Sequence, residues 1–169
     1  MREHKDADVT FVLAGVQMVR DYSLMDEGFE WPNKVKLFEA IRENQVSNVV
    51  LLSGDVHFAN IYHSACSALI GYNLIEYTSS GMSHSIDSFK TPLVREGIES
   101  LHDPLYGTAR MVTKYNFGEI LVDAENRTVH ISVKDIDGGS HYDHVINLDT
   151  DLIFDERKLS MNRDLCINV

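Results

Sequence analysis

Two short, continuous apolar runs are the feature that most constrains the fold of this chain. They cover residues 9–14, with the sequence VTFVLA, and residues 48–53, with the sequence NVVLLS. Each run is followed directly by a glycine, Gly15 or Gly54. Runs of this length without polar alternation are typical of strands that are buried on both faces of a sheet. The sequence therefore predicts two buried strands, each ending where a glycine lets the backbone turn sharply.

The segment between these strands has the pattern of an amphipathic helix. Pro32 suits the first turn of a helix, and Val35, Phe38 and Ile41 recur at helical spacing. The pattern fades near Asn44. A strand, a helix and a second strand in this order predict a βαβ unit, in which the helix covers a parallel sheet.

The second half of the chain has a different pattern. Two segments flank the polar turn DAENR, and in the second of them apolar and polar residues alternate, which predicts a half-buried antiparallel hairpin. The further segments are a strand at 72–79, an irregular stretch at 86–114 with a short helix at 93–101, hairpin strands at 116–122 and 129–136, and a strand at 142–148. We therefore expect an α/β or α+β fold with a C-terminal antiparallel hairpin, in a single domain that covers residues 1–169.

Composition narrows the possible partners. The 169 residues suffice for one domain with a sizeable core, and the formal net charge of −11 argues against binding to a nucleic-acid backbone. No apolar run approaches the length of about 20 residues that spans a bilayer. The polar N-terminus, MREHKDADVT, is not a signal peptide. We expect neither a nucleic-acid partner nor a membrane span, and the compartment stays open.

The segment that carries chemistry follows the second buried strand. There Gly54 is followed by Asp55 and His57, which are separated by one residue. In open α/β sheets, ligands bind where strands end at their carboxyl edge. A carboxylate oxygen and an imidazole nitrogen together suit zinc, iron or manganese, whereas calcium depends more on oxygen ligands. The alternative is a turn aspartate beside an ordinary surface histidine, and the short pattern alone does not decide between them.

Several ordered blocks resemble the C-terminal part of PhoD-like alkaline phosphatases. In that family a strand ending in G-[IV]-Q precedes a Trp-Pro loop, a helix and a strand ending in S-G-D-x-H. Later blocks are T-S-S-G-x-x-H-S, N-F-G and D-x-D-G. The corresponding positions here are Gly15 to Gln17, Trp31-Pro32, Ser53 to His57, Thr78 to Ser85, Asn116 to Gly118, and Asp135 to Gly138.

This resemblance implies a calcineurin-like metallophosphoesterase fold, of which the chain would form one half of a β-sandwich flanked by helices. It implies a phosphate-ester substrate and metal ions such as calcium, iron, zinc or manganese. Asp55 and His57 would be metal ligands, with Asp55 replacing the first histidine of the superfamily's late G-H-x-H motif. Gln17 would face the same site, and His84 would be a catalytic residue that touches the metal site or the phosphate. The alternatives are an ordinary polar loop residue for Gln17 and a turn histidine for His84.

The superfamily's early ligand motifs, D-x-H, G-D and G-N-H-[DE], do not precede Gly54 in this sequence. A two-metal phosphoesterase needs ligands from several strands. We therefore expect an incomplete, inactive phosphoesterase unit that either self-associates or needs a missing N-terminal half. The alternative is a non-catalytic binding module derived from the same scaffold. The resemblance is compatible with an extracytoplasmic or secretory location.

Overall fold

The computed structural model describes residues 7–19, 31–63, 67–88 and 111–159. Within these ranges the chain forms two β-sheets and two α-helices. The mixed α/β architecture with antiparallel pairing in the C-terminal half is confirmed. The short helix predicted at 93–101 lies outside the described residues.

The first sheet has four strands in the order β1-β2-β4-β3. These are β1 (Thr10–Leu13), β2 (Val49–Ser53), β3 (Ala59–His63) and β4 (Ile75–Ser79). Strands β1, β2 and β4 run parallel, and β3 runs antiparallel to β4. The apolar run at β2 is buried because that strand is flanked on both sides. The predicted βαβ unit is confirmed, whereas β3 was not predicted. The burial predicted for the first apolar run is wrong, because β1 lies at the edge of the sheet and is only partly buried, with Leu13 74% exposed.

Helix α1 (Trp31–Glu43) connects β1 to β2. Its residues Phe38 and Ile41 are buried in the main core, as the helical spacing predicts. Lys34 on the same helix is also buried, although lysine rarely is without a partner. A second helix, α2 (Ser67–Ile70), packs against α1. No helix among the described residues is long and apolar enough to cross a membrane.

The second sheet is antiparallel and has three strands in the order β5-β6-β7. These are β5 (Asn116–Asp123), β6 (Thr128–Asp135) and β7 (Ser140–Asn147). Alternate residues of β6 are buried against the first sheet, so the period-two pattern of the sequence is confirmed. Strand β5 lies at the sheet's edge and is largely exposed despite its apolar residues Ile120, Leu121 and Val122. Self-association through such exposed apolar surface stays a prediction.

A buried side-chain contact joins the two sheets. The Tyr77 hydroxyl on β4 is hydrogen-bonded to His144 Nδ1 on β7. Burial raises the pKa of Tyr77, so its hydroxyl keeps its proton in this contact. Burial, together with the nearby His144, lowers the pKa of His63 on β3. This contact fixes the second sheet over the first.

Candidate functional site

The loop at Gly54 leaves the sheet at its carboxyl edge, between two neighbouring strands. Strand β2 lies between β1 and β4, so three parallel strands end at the same edge. A Cβ atom built on Gly54 would lie 3.7 Å from the Gly15 carbonyl oxygen and 4.0 Å from Ser80 Cβ. The loops that follow β1, β2 and β4 are therefore in contact.

Asp55 and His57 both have left-handed backbone, with φ of 64° and 60°. Between them, Val56 is buried with Phe58 and Ile86, while Asp55 and His57 are exposed. Positive φ is uncommon for residues other than glycine, and it costs free energy that the surrounding structure must supply. The two predicted metal ligands, which lie on either side of Val56 in the sequence, therefore both have this uncommon backbone conformation.

Hydrogen bonds from the backbone hold this conformation. The backbone N–H groups of Val56 and His57 donate to Ser80 Oγ at 3.1 and 3.2 Å. The Ile86 N–H donates to the His57 carbonyl at 3.0 Å. Ser80, the first residue after β4, thus positions the G-D-x-H segment that follows β2.

The structure brings His84 next to His57. Their ring centroids lie 5.8 Å apart with an interplanar angle of 84°. Both side chains are exposed, and His84 Nδ1 lies 3.3 Å from Ser83 Oγ. Two imidazoles from separate sequence blocks therefore lie close together, and one of them, that of His57, is two residues after Asp55 in the sequence. We call Asp55, His57 and His84 the exposed cluster.

Gln17 follows β1 at the same edge, but its side chain is buried. Its Nε2 group donates to Thr78 Oγ1 at 3.0 Å, and Thr78 Oγ1 lies 2.8 Å from Ser53 Oγ. Among the described residues, Gln17 Oε1 has no hydrogen-bond partner. Gln17 therefore contacts the ends of β2 and β4 from within the protein, and its predicted role as a metal ligand stays a prediction.

Glu76 is a buried carboxylate that sequence reasoning missed. Its two oxygens accept hydrogen bonds from the backbone N–H groups of Met18 and Val19, each at 2.7 Å. Burial raises the pKa of Glu76, whereas these two bonds, Ser53 and the charge of Lys34 act in the opposite direction. Lys34 in turn donates to the Val19 carbonyl at 3.1 Å. We call Gln17, Lys34, Ser53, Glu76 and Thr78 the buried network.

The two late sequence blocks have structural roles. The side chain of Asn116 accepts a hydrogen bond from Ser79 Oγ at 3.0 Å and packs over Gly81, where an added Cβ would lie 2.1 Å from its Nδ2.

Asp135 accepts bonds from His141, from the Gly139 N–H and from the Lys114 ammonium, and these partners hold its pKa well below the ordinary value. Asn116 and Asp135 therefore anchor the second sheet and close a turn.

The exposed cluster has the donors for one cation. Two imidazole nitrogens and one carboxylate suit zinc, iron or manganese, and they are less suited to calcium. Within ranges 7–19, 31–63, 67–88 and 111–159, no three His, Cys, Asp or Glu side chains already converge on one point. Asp55 would therefore have to turn toward the histidine pair, which its exposure permits. The exposed cluster therefore offers three donors only after this rearrangement, and the described residues do not form a ready metal site.

Comparison of the chain with protein-family models, with curated proteins and with solved structures finds no match.

Proposed function

We propose that this chain is a metal-binding domain of the phosphoesterase class, whose substrates are phosphate esters, and that it is inactive by itself. The observation that carries the proposal is the meeting of His57 and His84, with ring centroids 5.8 Å apart, at the carboxyl edge of a parallel sheet. Backbone strain at functional positions is a recognised pattern, and the left-handed conformation of both Asp55 and His57 supports the same conclusion. The resemblance to PhoD-like phosphatases supplies the substrate class.

The residues of the exposed cluster have separate roles in this proposal. His57 and His84 would each offer an imidazole nitrogen to the cation, and Asp55 would offer a carboxylate whose charge partly neutralises it. Ser80 positions the His57 backbone. A cation bound there supplies polarisation of a phosphoryl oxygen and acidification of a water molecule.

Catalysis by such a centre depends on how many ions it holds. Two ions roughly 3.5–4 Å apart clamp the attacking and leaving oxygens in many phosphoesterases. Since no three such side chains among the described residues are arranged to hold even one ion, we expect this 169-residue chain to hydrolyse aryl phosphates at or near the background rate. The second candidate function is a non-catalytic, metal-binding interaction module, which the same limited ligand set favours.

Calorimetric titration with Zn²⁺ tests the metal site. We expect His57→Ala and His84→Ala each to weaken binding by at least about tenfold, because each removes a donor nitrogen. His130→Ala is the matched control, since His130 is partly exposed and paired with Asp143 on the second sheet. Equal Zn²⁺ affinity in the parent and in both cluster variants would overturn the site.

A second measurement separates the two candidate functions. Hydrolysis of 4-nitrophenyl phosphate and of its bis-ester is followed with added Zn²⁺, Mn²⁺, Fe²⁺ or Ca²⁺, with protein from a phosphatase-deficient host. Turnover that disappears in Asp55→Asn would establish the enzyme and show that the chain completes its own catalytic site. Metal binding without turnover matches the expected background rate, and the binding of phenylphosphonate, an analogue that is not hydrolysed, then decides: binding that depends on the metal favours the phosphoesterase, and no binding favours the interaction module.

A further inference from the structure

A cavity of about 270 Å³ lies between the two sheets, and its lining includes Ser53 and Ser79, which end the strands that lead to the exposed cluster. Strands β2 and β4 form one wall, and β5 and β6 form the other. Its lining is mainly apolar, with Tyr77 and Leu52 on the first sheet and Ile131 and Val133 on the second. The cavity is therefore a pocket between the sheets that opens to solvent on one side.

The floor and the mouth of this cavity differ in exposure. Ile131 and Val133 in the floor are each 2% exposed, whereas Met82 at the mouth is 77% exposed, and Phe117 and Ile120 are each 38% exposed. Burial of an apolar side chain stabilises by roughly 25 cal/mol per Å² of area. Three large apolar side chains left partly in water around one opening thus offer free energy to an apolar occupant.

The polar edge of the cavity is continuous with the candidate site. Ser53 and Ser79 line it, and they are the last residues of β2 and β4. The next residue of each strand begins the loop that carries Asp55 and His57 or the loop that carries His84. A molecule held at these loops by a polar group would therefore have its adjoining part directed toward the cavity.

The volume indicates what size of group fits. An apolar cavity of about 150 Å³ in another protein takes up benzene, so a cavity of 270 Å³ has room for a larger group. Sites for whole drug-sized ligands measure about 300–1,000 Å³. The gap therefore suits part of a ligand, of the size of a naphthyl ring or a phenyl ring with a short chain.

We propose that the cavity between the sheets binds the aryl or branched alkyl group of a small molecule whose polar end lies at the exposed cluster. That this molecule is a phosphate ester rests on the function proposed above. The cavity would then favour aryl phosphates over phosphates of small polar alcohols. One of its two walls comes from the second sheet, so that sheet would contribute to ligand selection as well as to stability.

Methyl NMR tests the apolar site without any metal. The protein carries ¹³C at the Met ε and Ile δ1 methyl groups and is titrated with 1-naphthol. We expect saturable shifts at Met82, Ile120 and Ile131, with half-saturation at about 1 mM, the range for a small group in a preformed pocket. The methyl group of Ile136, which is exposed and does not line the cavity, should not respond. Absent shifts at the cavity methyls, or equal shifts at Ile136, would overturn the proposal.

Matched variants locate the binding. Ile120→Trp fills the mouth and should weaken 1-naphthol binding by about fivefold or more. Val145→Trp makes the same change at an exposed apolar position of β7, outside the cavity, and should leave binding unchanged. Equal affinity in the two variants would place the ligand elsewhere and overturn the proposal.

Titration with 1-naphthyl phosphate in the presence of Zn²⁺ separates this proposal from the proposed function. We expect tighter binding than for 1-naphthol, and we expect His57→Ala to remove the gain. Saturation by 1-naphthol without a gain from phosphate and metal would support the apolar site and count against the phosphoesterase.

Discussion

Two polar groups of residues lie at the same edge of the four-stranded sheet, and they are built in opposite ways. In the buried network, Gln17, Lys34 and Glu76 are each at most 3% exposed and are hydrogen-bonded to loops or strand ends. In the exposed cluster, Asp55 and His57 face solvent, and hydrogen bonds to their backbone or to that of Val56 define the loop.

The difference shows that the buried residues position the loops, whereas the exposed residues have donor atoms to offer to a ligand. A buried polar group must be paired, because an unpaired one costs about 1–3 kcal/mol of stability. Glu76 therefore holds the segment after β1 in a single position, because its carboxylate accepts hydrogen bonds from the N–H groups of Met18 and Val19. The exposed side chains carry no such demand, so their donor atoms can be given to a ligand.

The largest expected effect comes from breaking the buried network at Glu76. Glu76→Ala leaves the N–H groups of Met18 and Val19 without their acceptors and removes the negative charge near buried Lys34. We expect a loss of about 3–5 kcal/mol in the free energy of unfolding, as for other broken buried charge pairs. Urea denaturation measures it.

Glu119→Ala is the control for this substitution. Glu119 pairs with Lys134 on the exposed face of the second sheet, and surface pairs of this kind contribute little. If Glu76→Ala were as stable as Glu119→Ala, the buried network would not be what holds the loop after β1.

A substitution with a smaller expected effect tests whether Gln17 belongs to the buried network or to the exposed cluster. Gln17→Met removes one hydrogen bond to Thr78 and also removes the unpaired Oε1 atom, so the two changes partly cancel. We expect about 1 kcal/mol of destabilisation and a change in Zn²⁺ affinity of less than about twofold. Thermal denaturation and calorimetry measure the two quantities. A tenfold loss of Zn²⁺ affinity would join Gln17 to the exposed cluster as a ligand.

The smallest expected change in stability is at His57. Glycine adopts positive φ without steric cost, so His57→Gly relieves strain while it loosens the unfolded chain. We expect the free energy of unfolding to stay equal or to rise by up to about 1 kcal/mol, while Zn²⁺ binding weakens. Destabilisation by more than about 2 kcal/mol would mean that the imidazole serves the fold and not a ligand.

Most strands were predictable because their exposure follows the local pattern of apolar and polar residues. The uninterrupted run at β2 and the alternation in β6 each match the exposure of the strand that forms. Strand β3 was missed because it mixes Asn60 and Tyr62 with apolar residues, yet both are fully buried. Their burial depends on pairing with β4, which no local pattern records.

The candidate site was predictable in the same partial way. Asp55 and His57 stand out because a glycine and a buried strand precede them, and the resemblance pointed to His84. Glu76 sits inside IEYTS, where a single carboxylate is what a half-exposed strand would carry. The segment after β1 contacts Glu76 through the N–H groups of Met18 and Val19 and keeps it buried, so a tertiary contact decides what the spacing cannot.

The place of β3 also bears on the order in which the chain assembles. Strand β3 follows β2 in sequence but lies on the far side of β4, with which it pairs antiparallel. The β3–β4 loop is shorter than the β2–β4 crossover, so it closes at a smaller entropic cost. We expect pulse-labelled hydrogen exchange during refolding to protect the amides of β3 and β4 before those of β1 and β2. Strand β2, which leads into the loop with Asp55 and His57, would then be inserted late. Mutations at this edge would therefore speed unfolding more than they slow folding.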